Sequence, residues 1–140
     1  MNQQTSLERS LLFQDREYVD IDLNFTKARS TDIAKKKGEN AIKQALKILL
    51  LTGPAERLFH PELASGVRDL LFDIVTPTTA YELQTTIEEV INNFEPRVNL
   101  VGVVVSADPD EAAYNVTVEF SIVNQPSGTV QLNLFLERLR

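Results

Sequence analysis

Apolar residues recur at the spacing of an amphipathic helix in two long segments. The first spans residues 39–52 and ends at Gly53-Pro54, a pair that commonly terminates helices. The second follows Thr76-Pro77, an N-cap residue and a proline suited to the first helical turn, and runs to Phe94. Between them, Ser65 is predicted to cap a short helix that reaches about Phe72. The pattern thus predicts two main helices and one short helix.

Five other segments carry strand-like patterns. Residues 18–25 alternate strictly and predict a half-buried strand, followed by a short second strand near residues 32–35. Residues 98–106 are apolar on both faces and are predicted to lie centrally in a sheet. Residues 114–124 and 129–136 alternate again. The predicted inward rows are Val19, Ile21, Leu23 and Phe25 in the first strand, Tyr114, Val116, Val118, Phe120 and Ile122 in the fourth, and Val130, Leu132, Leu134 and Leu136 in the last.

These elements predict an α+β fold with a small, mainly antiparallel or mixed sheet and the helices packed on one face. The chain has 140 residues, a formal net charge of −6 and no cysteine. At this length we expect one domain over residues 17–140, preceded by an N-terminal arm over residues 1–16. The absence of cysteine excludes disulfides and thiolate metal sites.

Charge and hydropathy argue against two classes of partner. Phosphate binding depends on clustered Lys and Arg, whereas the only dense basic run is Lys35–Lys37, which we interpret as a solvated edge. The longest apolar stretch, Ile48–Leu51, is too short to cross a bilayer, and the first residues lack a signal-peptide pattern. We therefore expect neither nucleic acid nor membrane as a partner, and a protein made in the cytoplasm.

Candidate catalytic groups are few. His60 is the only histidine and has no glycine-flanked serine to activate, so we interpret it as a loop or packing residue. Glycoside hydrolysis needs two carboxylates on either side of one bond, of which one is held protonated. A nearby arginine stabilises the charged form instead. We expect no enzymatic activity, no metal and no cofactor, and interpret four carboxylates near element boundaries as ordinary acids and ion pairs: Glu62, Asp69, Asp73 and Glu95.

The most informative segment is Phe94–Val98, where a helix must end and a strand begins. Proline has no amide hydrogen and disfavours helical geometry in the residue before it, so the helix ends at or before Glu95. Glu95 and Arg97 then stand on either side of the fixed φ angle of Pro96. This charged corner is interpreted as a docking element, a structural clamp or half of an acid–base pair.

Two stretches resemble a known family. The run Glu39–Asp73 and the segment Phe94–Val98, with its Glu-Pro-Arg sequence, resemble the baseplate wedge proteins of contractile-tailed bacteriophages and the matching type VI secretion subunit. The resemblance covers roughly residues 18–136. It implies a small α+β domain similar to the inner domain of tail-sheath subunits, without catalytic activity.

The same resemblance implies a place and partners. The chain would be a structural subunit of the virion tail baseplate, assembled in the host cytoplasm in several copies of a six-fold structure. It would contact other wedge subunits and the tail sheath, and would help to start sheath polymerisation by strand exchange. Glu95, Pro96 and Arg97 would then form a protein-binding site.

Two other functions stay open at this point. A peptidoglycan hydrolase with Glu62 or Glu95 as the acid corresponds to an older label of the same family. A generic adaptor that binds by strand addition corresponds to the alternating strands near both ends, because edge strands accept strands from other chains.

Overall fold

The computed structural model describes residues 18–26, 33–123 and 128–139. The chain divides into two compact units, Met1–Ala41 and Ile42–Arg140. The strands are β1 (Val19–Ile21), β2 (Lys35–Lys37), β3 (Val98–Asp108), β4 (Ala113–Ile122) and β5 (Val130–Glu137), and the helices are α1 (Glu39–Leu51), α2 (Val67–Leu70) and α3 (Pro77–Phe94). In the described ranges, no helix is long and apolar enough to cross a bilayer.

In the first unit, β1 and β2 form a two-stranded antiparallel sheet in which Val19 pairs with Lys37. The prediction of a strand over residues 18–25 was wrong in extent, because the chain turns after Ile21 and the Phe25 amide donates to the Asp22 carbonyl at 3.0 Å. The second strand comprises the lysine triplet rather than residues 32–35, and residue 32 lies outside the described ranges.

The predicted inward row of this first strand was also wrong. Its four apolar residues are all at least half exposed, whereas Asp22, predicted to face outward, is 6% exposed. The Asp22 carboxylate accepts from the Asn24 amide at 3.2 Å and lies 3.2 Å from the Lys36 ammonium group. Local polar bonds at the turn therefore decide which residues are buried here.

Helix boundaries follow the sequence closely in α1 and α3. Helix α1 begins at Glu39 and ends at Leu51, just before the Gly53-Pro54 stop. Helix α3 has Thr76 as its N-cap, whose hydroxyl accepts from the Thr79 amide at 3.2 Å, and Pro77 in its first turn. The buried side chains of these helices include Ile42, Leu46, Leu50, Leu83, Ile87, Val90 and Ile91.

The start of α2 differs from the prediction. Its N-cap position is Gly66, which has a φ of +62° that glycine adopts without strain. Ser65 lies one residue earlier, and its buried hydroxyl donates to the carbonyl oxygen of Leu50 at 2.7 Å. The Ser65 oxygen also accepts from the amide of Val67, the first residue of α2, at 3.3 Å. Ser65 therefore connects α2 to the end of α1 and also bonds the start of α2, from one position before the N-cap.

The second unit contains a three-stranded antiparallel sheet in the order β3-β4-β5. The inward row predicted for β4 is confirmed, since all five of its side chains are buried. Val130, Leu134 and Leu136 of β5 are buried on the same face, and Leu132 is half-buried. Helix α3 packs against β3, and α2 packs against α3. The fold is α+β, as expected from the pattern.

The prediction that residues 98–106 form a central strand was wrong, because β4 is the middle strand and β3 is an outer one. Val101 is the extra residue of a bulge: Leu100 pairs with Phe120, and Gly102 already pairs with Glu119. A bulge shifts the period-two alternation by one residue. The same side of the sheet is therefore faced by Val98 and Leu100 before the bulge and by Val103 and Val105 after it. This shift makes the sequence of β3 look apolar on both faces.

Candidate protein-interaction site

The charged corner lies where α3 ends and β3 begins. Glu95 is the C-cap of α3, and its amide donates to the Ile91 carbonyl at 3.0 Å. Two residues later, the Arg97 carbonyl accepts from the Val123 amide at 2.9 Å, which ties the corner to the end of β4. With Pro96 between them, the backbone of both charged residues is held by regular elements on either side.

The two side chains form a bidentate ion pair. The Arg97 guanidinium donates from Nε to Oε1 of Glu95 at 2.6 Å and from Nη2 to Oε2 at 2.5 Å. The Arg97 amide also donates to Oε1 at 3.3 Å. The Glu95 side chain is only 6% exposed, whereas that of Arg97 is 37% exposed. Glu95 thus orients a guanidinium group whose outer part reaches solvent.

This geometry favours two of the three interpretations of the corner, a structural clamp and a docking element, over half of an acid–base pair. The Glu95 carboxylate accepts three N–H groups of Arg97 and is only 6% exposed, so it is engaged within the chain and little of it is accessible to a substrate. The corner is a structural clamp, because one ion pair joins the end of α3 to the start of β3. A planar guanidinium with a fixed orientation and exposed area also suits directed contact with a partner carboxylate or carbonyl.

The other candidate carboxylates do not match a hydrolase site. Glu62 accepts from its own backbone amide and lies 3.0 Å from Nδ1 of His60, and both contacts lower the pKa of Glu62, the backbone bond more strongly. A general acid needs a raised pKa instead. Asp69 lies in α2 and Asp73 just after it, and both are exposed. Within the described residues, no group of three or more acidic or histidine side chains is arranged to hold a metal ion.

The edges of the three-stranded sheet are a second feature of the candidate site. In the described part of the chain, β3 and β5 are the outer strands of the three-stranded sheet, and each pairs only with β4. The sequence left open whether the alternating strands near the two ends are edges or pair with each other. They do not pair with each other, since β1 pairs with β2 and β5 pairs with β4.

The sequence did not predict the exposure of two apolar residues that lie within the run Glu39–Asp73, one of the stretches that carry the family resemblance. Leu58 and Phe59, in the loop between α1 and α2, are each 91% exposed. The sequence contains a weak signal for them, because two adjacent large apolar residues stand in a loop without periodicity. Their exposure depends on the tertiary contacts that hold the loop, and the pattern of apolar and polar residues does not show such contacts.

The fold and the corner define a small α+β domain with an ordered, partly exposed ion pair. The comparisons with known proteins show the family to which such a domain belongs. The family model described as Baseplate wedge protein gp25 matches residues 36–127. The chain is also 31% identical over 119 residues to the Baseplate wedge protein gp25 of Enterobacteria phage T4, an alignment that covers 85% of this chain and 90% of that protein. The chain belongs to the baseplate wedge protein gp25 family.

Solved structures show the same fold. A chain in the cryo-EM structure of the anti-feeding prophage baseplate, six-fold symmetrised, aligns with a TM-score of 0.68 and 23% identity over 84% of this chain and 94% of that one. A crystal structure from Geobacter sulfurreducens, described as a proposed tail lysozyme, aligns with a TM-score of 0.58 and 23% identity over 71% and 91% of the two chains. At this identity the likeness concerns the fold, and the lysozyme description belongs to that protein.

Proposed function

We propose that this chain is a non-enzymatic structural subunit of a contractile-tail baseplate wedge, which joins other wedge proteins and starts sheath polymerisation by strand exchange. Family membership and the baseplate origin of one structural neighbour support the first part. The observation that carries the second part is the outer position of β5, a strand whose far side pairs with no other described segment.

β5 suits strand addition better than β3. The pairing of β5 with β4 runs without a break from Ala113↔Glu137 to Phe120↔Val130, so its outer edge follows a regular strand over eight residues. β3 carries the bulge at Val101, and bulges make an edge a poorer template for another strand. An extended segment from a sheath subunit would therefore add to β5 through backbone hydrogen bonds.

The charged corner has a separate role in this proposal. Arg97 is the contact residue for a neighbouring wedge subunit, Glu95 orients its guanidinium, and Pro96 fixes the backbone between them. The support is the bidentate geometry together with the exposed part of the Arg97 side chain. The partner group would be a carboxylate or a backbone carbonyl, since a guanidinium bonds both in its own plane.

The proposal also includes a location for the chain and its presence in several copies. The chain would be part of the tail baseplate of a phage or prophage particle, assembled in the host cytoplasm, with several copies around a six-fold axis. The support is the relative from phage T4 and the six-fold symmetrised prophage baseplate in which a neighbour of the same fold lies.

A single introduced cysteine tests strand exchange directly, because the natural sequence contains none. Asn133→Cys places one thiol at an exposed position of β5, and Asn115→Cys places a matched thiol at an exposed position of the central strand β4. In assembled tails treated with a short thiol-to-amine cross-linker, the thiol at position 133 should link to a sheath subunit far more than the thiol at position 115. Equal yields, or no link to sheath, would contradict the proposal.

The same experiment separates a generic adaptor from a baseplate subunit. An adaptor that binds by strand addition would be cross-linked at β5 to proteins that are not tail components. A hydrolase is tested by incubating the purified protein with peptidoglycan across the acid and neutral pH range, where we expect no release of soluble fragments.

A further inference from the structure

The loop between α1 and α2, residues 53–64, is fastened firmly at its base. Ser65 donates its amide to the Thr52 carbonyl at 3.2 Å and its hydroxyl to the Leu50 carbonyl at 2.7 Å, which brings the two ends of the loop together. The Glu56 carboxylate accepts from the Gly53 amide at 2.9 Å and from Nη1 of Arg68 at 2.8 Å. Four polar contacts therefore hold the base of the loop: two close it through Ser65, one joins Glu56 to α2, and one lies within the loop between Gly53 and Glu56.

The tip of this loop exposes two large apolar side chains. Leu58 and Phe59 are each 91% exposed, more than any other large apolar residue in the described ranges. Two hydrogen bonds within the loop, from the His60 amide to Arg57 and from the Leu63 amide to His60, shape the turn around them. Single exposed apolar residues are normal on protein surfaces, but an adjacent pair on a fastened loop is a preformed contact surface.

The charges around the tip indicate what kind of surface it fits. Glu56 is paired with Arg68, and Glu62 lies against His60. Arg57, directly before the tip, makes no ion pair that the structure shows within the described residues. Leu58 and Phe59 thus form an apolar anchor beside the guanidinium of Arg57, which is unpaired in the described part of the chain. Such a surface is complementary to an apolar groove that has a carboxylate at its rim.

We propose that Leu58 and Phe59 insert into such a groove on a different subunit of the baseplate, and that Arg57 pairs with a carboxylate at its edge. This inference depends on the baseplate assignment in the proposed function but not on strand exchange at β5. It adds a third contact, made by apolar burial, to the β5 edge and the charged corner.

Two other occupants are a lipid surface, which fits less well, and a second copy of the chain, which the experiment separates. A lipid surface would be attracted by several cations, whereas the tip has one beside it on a chain of net charge −6. A second copy would offer its own apolar cavity, of about 430 Å³, between α1, α2 and β5. The residues that line that cavity include Glu137 and also Arg68, and the charge of Arg68 is paired with Glu56 of its own chain. Charge alone therefore does not separate a second copy from another subunit, and the cross-link described next does.

Photo-cross-linking identifies the occupant in the assembled particle. A benzophenone amino acid replaces Phe59 in one variant and Tyr81, which is 70% exposed on α3, in a matched control. The adduct from position 59 should be a single non-identical baseplate subunit, linked through a peptide that contains Asp or Glu. Arg57→Glu should reduce this adduct at least about tenfold, because it places like charges together. Adducts to a second copy, to lipid only, or at the yield of position 81 would overturn the proposal.

Binding of the subunit so identified then measures the contribution of the tip. Leu58→Ser with Phe59→Ser should weaken binding at least about thirtyfold, as expected for apolar anchors at the centre of an interface. The matched control is Ile74→Ser with Tyr81→Ser, which removes two apolar side chains of 69% and 70% exposure. An equal loss in both variants would contradict the inference.

The two proposals fail separately. Blocking the tip would leave the link from position 133 to sheath intact in any baseplate that still forms. Conversely, particles could give the benzophenone adduct at position 59 but no cross-link from position 133 to sheath. That result would support the contact made by Leu58 and Phe59 and would contradict strand exchange.

Discussion

The charged corner and the apolar tip are both proposed contact elements, yet they are built in opposite ways. At the corner, Glu95 is buried and both oxygens of its carboxylate are hydrogen-bonded to Arg97. The polar groups of Glu95 are therefore engaged within the chain itself. At the tip, Leu58 and Phe59 make almost no contact with their own chain, and only the base of the loop is fastened. Removing the corner should therefore affect folding and assembly together, whereas removing the tip should affect assembly alone.

The largest effect on stability is expected at the corner. Arg97→Ala leaves the Glu95 carboxylate buried without its bidentate partner, which we expect to lower the free energy of unfolding by about 1–3 kcal/mol, less than for a fully buried pair because Arg97 is partly exposed. Urea denaturation measures this. Glu95→Gln with Arg97→Gln should lose less, because no charge is then buried alone. A single variant as stable as the wild type would show that the pair is not a clamp.

The base of the loop should give the next largest effect. Ser65 is 2% exposed, and Ser65→Ala removes its hydroxyl bond to the Leu50 carbonyl, which we expect to lower the free energy of unfolding by about 1–2 kcal/mol. Thr85→Ala is the control, since the Thr85 hydroxyl bonds the Tyr81 carbonyl on an exposed helix face. That variant should stay within about 0.5 kcal/mol of the wild type. Equal losses would indicate that the loop is not fastened through Ser65.

The tip itself should be almost neutral for folding. Leu58→Ser with Phe59→Ser removes side chains that are 91% exposed, so the free energy of unfolding should change by less than about 0.5 kcal/mol. The same urea denaturation measures it, and the Arg97→Ala protein serves as the reference for a real loss. A decrease as large as that of the corner variant would mean that the tip packs on its own chain.

The smallest effect concerns the pH dependence of the loop. The backbone amide and His60 lower the pKa of Glu62, so its carboxylate stays charged down to a more acidic pH than an ordinary glutamate. The carboxylate form of Glu62, which can accept from Nδ1–H of His60, is thus kept above the folded-state pKa and is lost as pH falls through it. NMR titration of the Glu62 side-chain carbon measures this pKa, and His60→Ala should move it upward. An unchanged value in that variant would show that His60 does not act on Glu62.

The sequence predicted the parts of the molecule that depend on local rules. The N-cap at Thr76 predicts the start of α3, and the alternation predicts the inward row of β4; both are confirmed. The proline at residue 96 placed the corner correctly, because a proline restricts its neighbours whatever the surrounding fold.

The errors arose where one residue or one long-range bond changes a local pattern. The bulge at Val101 shifts the alternation of β3 and makes an outer strand look central. The turn at Asp22 buries a carboxylate and exposes the apolar row beside it. The tip was not predicted, because its presentation depends on a bond between Ser65 and Leu50, fifteen residues apart. Such contacts belong to tertiary structure and leave no periodic signal.

A cryo-EM map of the assembled particle tests the central claim most directly, namely that this domain acts by contact with other subunits. We expect an extended sheath segment hydrogen-bonded along β5, the Arg97 guanidinium against a wedge subunit, and Phe59 buried in a groove of a different subunit. A map in which β5 and Arg97 face bulk solvent, while a bound glycan lies against Glu62 or Glu95, would contradict that claim.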